Sequence, residues 1–214
     1  MEINLQFKQN TGVFTATGEA AGHIDRVVVE PETKVVTHIV VQKGFLFKED
    51  KVVPIDLVAE ATEDQITLSA TAGDLHTLPP FEERHYLTSE AESRKGSPSP
   101  VPSISGIPPM GAGVEDPLVG PRLIPQVEHN IPEGTVALKE GAKVITAEGK
   151  QVGYVERVFA DAAAHRATHL VISQGLLAPK RRLIPITWAN IVGEDEVHLA
   201  IKENTLDWLR TYPN

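Results

Sequence analysis

The chain carries one segment twice, at a constant spacing. Residues 13–81, displaced by 131 positions, fall on 144–212 without a gap. Thr37-His38-Ile39-Val40-Val41 falls on Thr168-His169-Leu170-Val171-Ile172, Val53-Pro54-Ile55 on Ile184-Pro185-Ile186, and Glu63-Asp64 on Glu194-Asp195. About a quarter of the aligned positions are identical, and many of the others exchange Val, Ile and Leu. The repeat predicts two copies of one small domain. At roughly 70–85 residues each copy lies near the lower size limit for a self-sufficient core.

Each copy reads as a string of short strands. In the first, Val13–Ala16, Gly22–Glu30, Val35–Gln42, Lys51–Ile55 and Gln65–Ser69 are rich in Val, Ile and Thr and separated by turn residues such as Thr17-Gly18-Glu19 and Pro31-Glu32-Thr33-Lys34. Such runs suit a pleated, half-buried surface. Strands recurring about every 10 residues predict an antiparallel barrel or sandwich, and closure into a barrel removes unpaired edges. After the last strand the period changes. Leu75 and Leu78, matched by Leu206 and Leu209, predict one or two helical turns closing each barrel, with Trp208 adding bulk and Thr205 as N-cap.

A segment of different character separates the copies. Nine of the 16 prolines lie between Ser97 and Glu133. This density predicts a stiff spacer without regular structure, although Leu123-Ile124 within Pro121–Pro125 is apolar enough to dock on a barrel or a partner. The expected organisation is therefore a first domain at 1–88, a Pro/Gly-rich linker at 89–133 and a second domain at 134–214.

Composition narrows the function. The net charge of −9 is carried as −7 over residues 1–88, −3 over 89–133 and +1 over 134–214. An acidic first copy repels polyanions, so DNA binding is not expected, whereas RNA remains open to the second copy. The absence of cysteine excludes disulfides, thiolate nucleophiles and zinc–thiolate sites. No apolar run approaches the roughly 20 residues that span a bilayer, and the start of the chain lacks signal-peptide character. A cytoplasmic location is the default expectation, with attachment to the membrane periphery as the alternative.

The ordered motifs resemble the PRC-barrel family. They are the Gly-(Glu/Lys)-x-x-Gly step at Gly18–Gly22 and Gly149–Gly153, the ionic strand Ile24-Asp25-Arg26-Val27 and Val155-Glu156-Arg157-Val158, the Thr-His strand, and the proline step at Pro54 and Pro185. The resemblance covers both copies but not the linker. It implies an all-β chain of two small, strongly bent antiparallel PRC-type β-barrels, each closed by a short helical segment and joined by the Pro-rich linker. The family's uses include the photosynthetic reaction-centre H subunit, a ribosome maturation factor, and stand-alone bacterial and archaeal proteins. These uses share a binding platform rather than a reaction. No N-terminal membrane helix like the H subunit's is expected here, and the chain pairs two like barrels where the ribosome factor pairs unlike ones.

Several residues are candidates for chemistry. Gly18 and Gly149 suit a hairpin position with positive φ, and Gly22 and Gly153 a strand start where a side chain would crowd its neighbour. His38 and His169 lie mid-strand, as proton-active groups or as structural ones whose rings are hydrogen-bonded to nearby backbone or carboxylate. The acidic residue before Arg26 and before Arg157 predicts a cross-strand salt bridge that fixes register. Glu63-Asp64 and Glu194-Asp195 are expected at turns with diverging side chains. The loop after the Thr-His strand differs most between copies. Phe45, Leu46 and Phe47 in the first, and Leu176 and Leu177 in the second, either plug a barrel or form a contact surface. Lys180, Arg181 and Arg182 follow as a basic cluster suited to phosphate or an acidic protein face.

No catalytic triad, metal set or cofactor fingerprint is present, so no enzyme, cofactor or metal is expected. The expectation is a non-catalytic adaptor that binds a protein partner or self-associates, its two barrels docked as a pseudo-symmetric pair. The alternatives are a ribosome- or RNA-associated role like the maturation factor's, and a peripheral subunit of a photosynthetic or electron-transfer membrane complex.

Overall fold

The computed structural model describes residues 4–43, 49–70, 75–88, 123–175, 179–209 and 211–213. Two compact units divide the chain. One comprises 1–81 together with 130–214, and the other 82–129.

In the first unit each copy of the repeat builds one bent sheet. The first copy contributes β2 (Gly12–Phe14), β3 (Ala20–Val29), β4 (Val36–Lys43), β5 (Glu49–Pro54), β6 (Val58–Ala61) and β7 (Gln65–Leu68), in the order β5-β4-β3-β2-β7-β6. The second repeats it with β11 (Lys143–Ile145), β12 (Gln151–Asp161), β13 (Ala167–Gln174), β14 (Lys180–Pro185), β15 (Ala189–Val192) and β16 (Glu196–Leu199). The molecule is therefore all-β with two small barrel-like halves, as the repeat predicts. Each half also has one parallel pair, β2 with β7 and β11 with β16. These partners are separated by several strands, so no tight hairpin forces them to run antiparallel.

The first strand of each half pairs with the other half. Strand β1 (Asn4–Lys8) runs antiparallel to β12, with Phe7 opposite Val158. Strand β10 (Val136–Lys139) runs antiparallel to β3, with Leu138 opposite Val27. On β3, β2 occupies one stretch of the strand and β10 the next. The exchange is reciprocal at a second place, where Val36 N–H donates to His165 C=O at 2.7 Å and Ala167 N–H to Lys34 C=O at 2.8 Å. Lys34 and His165 stand 131 positions apart, as do Val36 and Ala167.

Exchange merges the cores. Leu5 and Phe7, alternating with the half-buried Gln6 and Lys8, are 3 % and 1 % exposed. They join one continuous apolar cluster with Ile24, Ile39 and Ile66 of the first half and Leu170, Ile172 and Leu199 of the second. Full burial of side chains this size contributes about 1.5–3 kcal/mol each. A smaller cluster of Val28, Val40, Val52 and Phe81 takes in Ala137 from β10. The expectation of two barrels that merely dock is thus corrected, because each half completes the other.

The helical closures differ in kind. Leu75–Thr77 is a 3-10 turn, whereas Glu203–Leu206 is a short α-helix, α1. Lys202 occupies the N-cap position without a side-chain bond and Thr205 lies inside the helix, so Thr205 is not the cap. Beyond these turns the chain returns to cover the outer strand of each sheet. Pro79 C=O accepts from Val52 N–H, Phe81 N–H donates to Asp50 C=O, and Tyr212 N–H donates to Arg181 C=O.

Among its described residues the second unit is a two-stranded antiparallel ribbon of β8 (Glu82–Thr88) and β9 (Leu123–His129). Leu123–Pro125, expected in an irregular spacer, are strand residues. In the first unit the chain ends flanking the ribbon are adjacent. Asn130 N–H donates to Phe81 C=O at 2.9 Å, and its side-chain amide donates to Pro80 C=O at 2.9 Å.

Candidate functional site

Two reciprocal ion pairs hold the seam between the halves. Arg26 pairs with Glu194, and Arg157 pairs with Glu63 at 2.7 Å. Arg26 and Arg157 are equivalent positions, as are Glu63 and Glu194. Each arginine therefore crosses to the opposite half, rather than bridging neighbouring strands as the sequence predicts. Arg26 also bonds the adjacent Asp25. One ring beneath each is equivalent too, Phe81 and Tyr212. The Arg26 guanidinium lies 5.0 Å from the Phe81 ring centre, and that of Arg157 lies 5.8 Å from Tyr212 and 6.0 Å from Phe159.

Arg157 is the more deeply set, with its side chain 4 % exposed. Gln6 Oε1 accepts one of its N–H bonds at 2.9 Å, while its Nε has no partner among the described residues. Hydrogen bonding to Arg157, reinforced by its charge, holds the Glu63 carboxyl below the usual carboxylate range. A buried guanidinium is tolerable only with such compensation, since its desolvation costs several kcal/mol.

The two halves depart from symmetry beside this seam. In the first, the Gln9 side-chain amide donates to Asp25 Oδ1 at 2.9 Å. The equivalent residues in the second are Glu140 and Glu156, two acids. Burial pushes the Glu140 carboxyl up, the Glu156 charge adds to this, and a 2.7 Å bond from Gln9 N–H opposes it. Glu156 instead takes Arg181 Nε on both carboxylate oxygens at 2.8 Å. That bond raises the arginine further above its ordinary value. A cavity of about 20 Å³, room for one water, lies among Gln9, Asp25, Glu140 and Arg157.

The predicted basic cluster lies on β14 rather than in a loop. Consecutive strand residues face opposite sides, so the cluster is split. Arg181 bonds Glu156. Arg182 donates to Gln174 Oε1, to the carbonyls of Leu206 and Leu209 and to Asp207, tying the helical closure to the sheet. Lys51, its counterpart, likewise donates to Leu78 C=O at 3.1 Å. Lys180 is exposed. Phe45, Leu46, Phe47, Leu176 and Leu177 lie outside the described residues.

His38 sits in β4 between Val28 and Pro54, and His169 occupies the matching register between Phe159 and Pro185. At His38 the buried Nδ1 has no partner among the described residues. Burial lowers its pKa, with the Asp56 charge opposing. Among the described residues, no group of three or more His, Cys, Asp or Glu side chains is placed to hold a metal ion.

Among the described residues of the two halves, the most exposed large apolar side chains lie in the second. Trp208 is 88 % exposed and Ile191 59 % exposed. Their counterparts in the first half are Thr77 and Glu60. Trp208, expected to add bulk to the helical closure, thus lies in solvent. Leucine spacing located the helical turn but not its rotation. The mismatch with Thr77 was the available signal.

The family model of the PRC-barrel domain matches residues 9–75 and 140–204, over half of the chain, and the two matches begin 131 positions apart. The chain belongs to the PRC-barrel family and carries the domain in tandem. The exchanged strands β1 and β10 lie just before the matched segments. No curated protein matches the chain. PRC-barrel domains occur in binding and adaptor-type proteins. No helix among the described residues is long and apolar enough to cross a membrane.

Proposed function

We propose that the protein is a non-catalytic adaptor that binds a protein partner through the Trp208 surface of its second half. The observation that carries this reading is the 88 % exposure of Trp208 at a position that the equivalent half fills with Thr77. The duplicated halves keep their aliphatic interiors and reciprocal ion pairs but differ here on the outside. Tryptophan is enriched at energetic hot spots of protein interfaces, and an unburied one of this size leaves a large apolar area in water. The RNA alternative draws less support, because Arg181, Arg182 and Arg157 are engaged by groups of this chain.

The test is crosslinking and mass spectrometry in the native cell, comparing wild type with Trp208→Ser. A specific partner is expected with wild type and its recovery should fall at least about tenfold in the variant, the loss of one hot spot. An equal melting temperature would show that the fold is intact. An unchanged partner set would refute the reading.

A further inference from the structure

The ribbon of the second unit has unequal edges. In an antiparallel ladder, residues alternate between those that bond across to the partner and those whose N–H and C=O point away. The bond from Asn130 N–H to Phe81 C=O fixes the phase, so Glu83, His85 and Leu87 bond across to Glu128, Gln126 and Ile124. The N–H and C=O groups of Glu82, Arg84, Tyr86 and Thr88 then point outward from β8. The outward set on β9 is Leu123, Pro125, Val127 and His129. Pro125 has no N–H, so its edge is interrupted at the middle, a usual device against strand addition. The β8 edge has an unbroken row of donors. Among the described residues no third strand pairs with the ribbon.

We propose that β8 is an interface between two copies of this chain, which join their ribbons into a four-stranded antiparallel sheet. The register argues for a second copy. Centred on His85, a two-fold arrangement pairs all seven residues of β8, placing Arg84 opposite Tyr86, Glu83 opposite Leu87 and Glu82 opposite Thr88 of the other copy. In this register no acidic position lies opposite an acidic one, and Arg84 does not lie opposite its own copy. A slip of one step to centre on Arg84 sets two arginines opposite each other and loses pairs, which cross-strand electrostatics disfavours. A four-stranded sheet is more stable than a two-stranded ribbon, so joining the two ribbons favours both copies. The interface is isologous, so it closes at a dimer.

The experiment uses the full chain. Analytical ultracentrifugation should show a concentration-dependent dimer. Arg84 and Val127 face each other as a non-hydrogen-bonded pair, so Arg84→Pro and Val127→Pro leave the ribbon's own bonds intact and each removes an outward N–H from a different edge. Arg84→Pro should abolish the dimer and Val127→Pro should preserve it. The chain has no cysteine, so single cysteines report geometry cleanly. In the proposed register the two copies of residue 85 form a non-hydrogen-bonded pair with Cα atoms about 4.5 Å apart, within disulfide reach. His85→Cys should crosslink into a covalent dimer on mild oxidation, and Glu83→Cys should not. A monomer at every concentration, a dimer that survives Arg84→Pro, or preferential crosslinking at position 83 would overturn the proposal.

Discussion

Glu140 stands where the other half has Gln9, and this one difference carries a pH dependence. Its carboxyl is raised by burial and by Glu156. A carboxyl raised in the folded state favours folding below the unfolded value, and that contribution is lost as pH rises through the folded value. Glu140→Gln removes the loss and recreates the amide–carboxylate bond that Gln9 makes with Asp25. At neutral pH the variant should be more stable, by about 1 kcal/mol or less because the site is only partly buried. Near pH 4, where the acid is largely protonated, the two should melt alike. Thermal unfolding at both pH values checks this, and a variant equally stabilised at both would remove the electrostatic explanation. Half of this site was legible in the sequence. Arg26 and Arg157 stood out as repeated ionic residues, but their carboxylates lie in the opposite half, and spacing along a chain carries no information about contacts of that kind.

At the scale of the element, long strands bend where their neighbours cross closely. Gly22 on β3 and Gly153 on β12 lie against the backbone of the next strand. A Cβ at Gly22 would stand 2.4 Å from Gln42 O, and one at Gly153 2.5 Å from Ser173 O. Those contacts are with backbone and cannot be relieved by a rotamer change. Gly153→Ala should therefore cost about 2–4 kcal/mol, against about 1 kcal/mol for Gly18→Ala, which meets open space and suffers only its positive φ. Urea titration of the two variants gives the comparison, and equal midpoints would show that the crossing is looser than described. The sequence announced both glycines, because they recur at fixed spacing beside a strand. It did not announce β1 and β10. These strands precede the aligned repeat, and Leu5-Gln6-Phe7-Lys8 alternates as any half-buried strand does, without indicating its partner. The ribbon was hidden for a different reason. Pro125 argues against regular structure until its register shows that the missing N–H is one the ladder does not use.

For the whole molecule, strand exchange makes the halves interdependent. Residues 1–81 alone leave Leu5 and Phe7 without the β12 surface that buries them, and 130–214 alone leave Leu138 without β3. Expressed as separate chains, the two fragments should fold poorly alone and recover one cooperative melt as a one-to-one complex when mixed. Circular dichroism with sedimentation tests this. Fragments that each unfold cooperatively as monomers, at the temperature of the intact chain, would refute the interdependence.

The bond between Phe81 and Asn130 has a practical consequence. Because the polypeptide departs and returns through one doorway, the barrel pair has no stake in how long the detour is. Doubling such an excursion costs only about 0.6 kcal/mol of closure entropy. A reporter protein or a tight hairpin spliced between these two residues would be carried as cargo, which makes this position the natural handle for labelling the protein in cells.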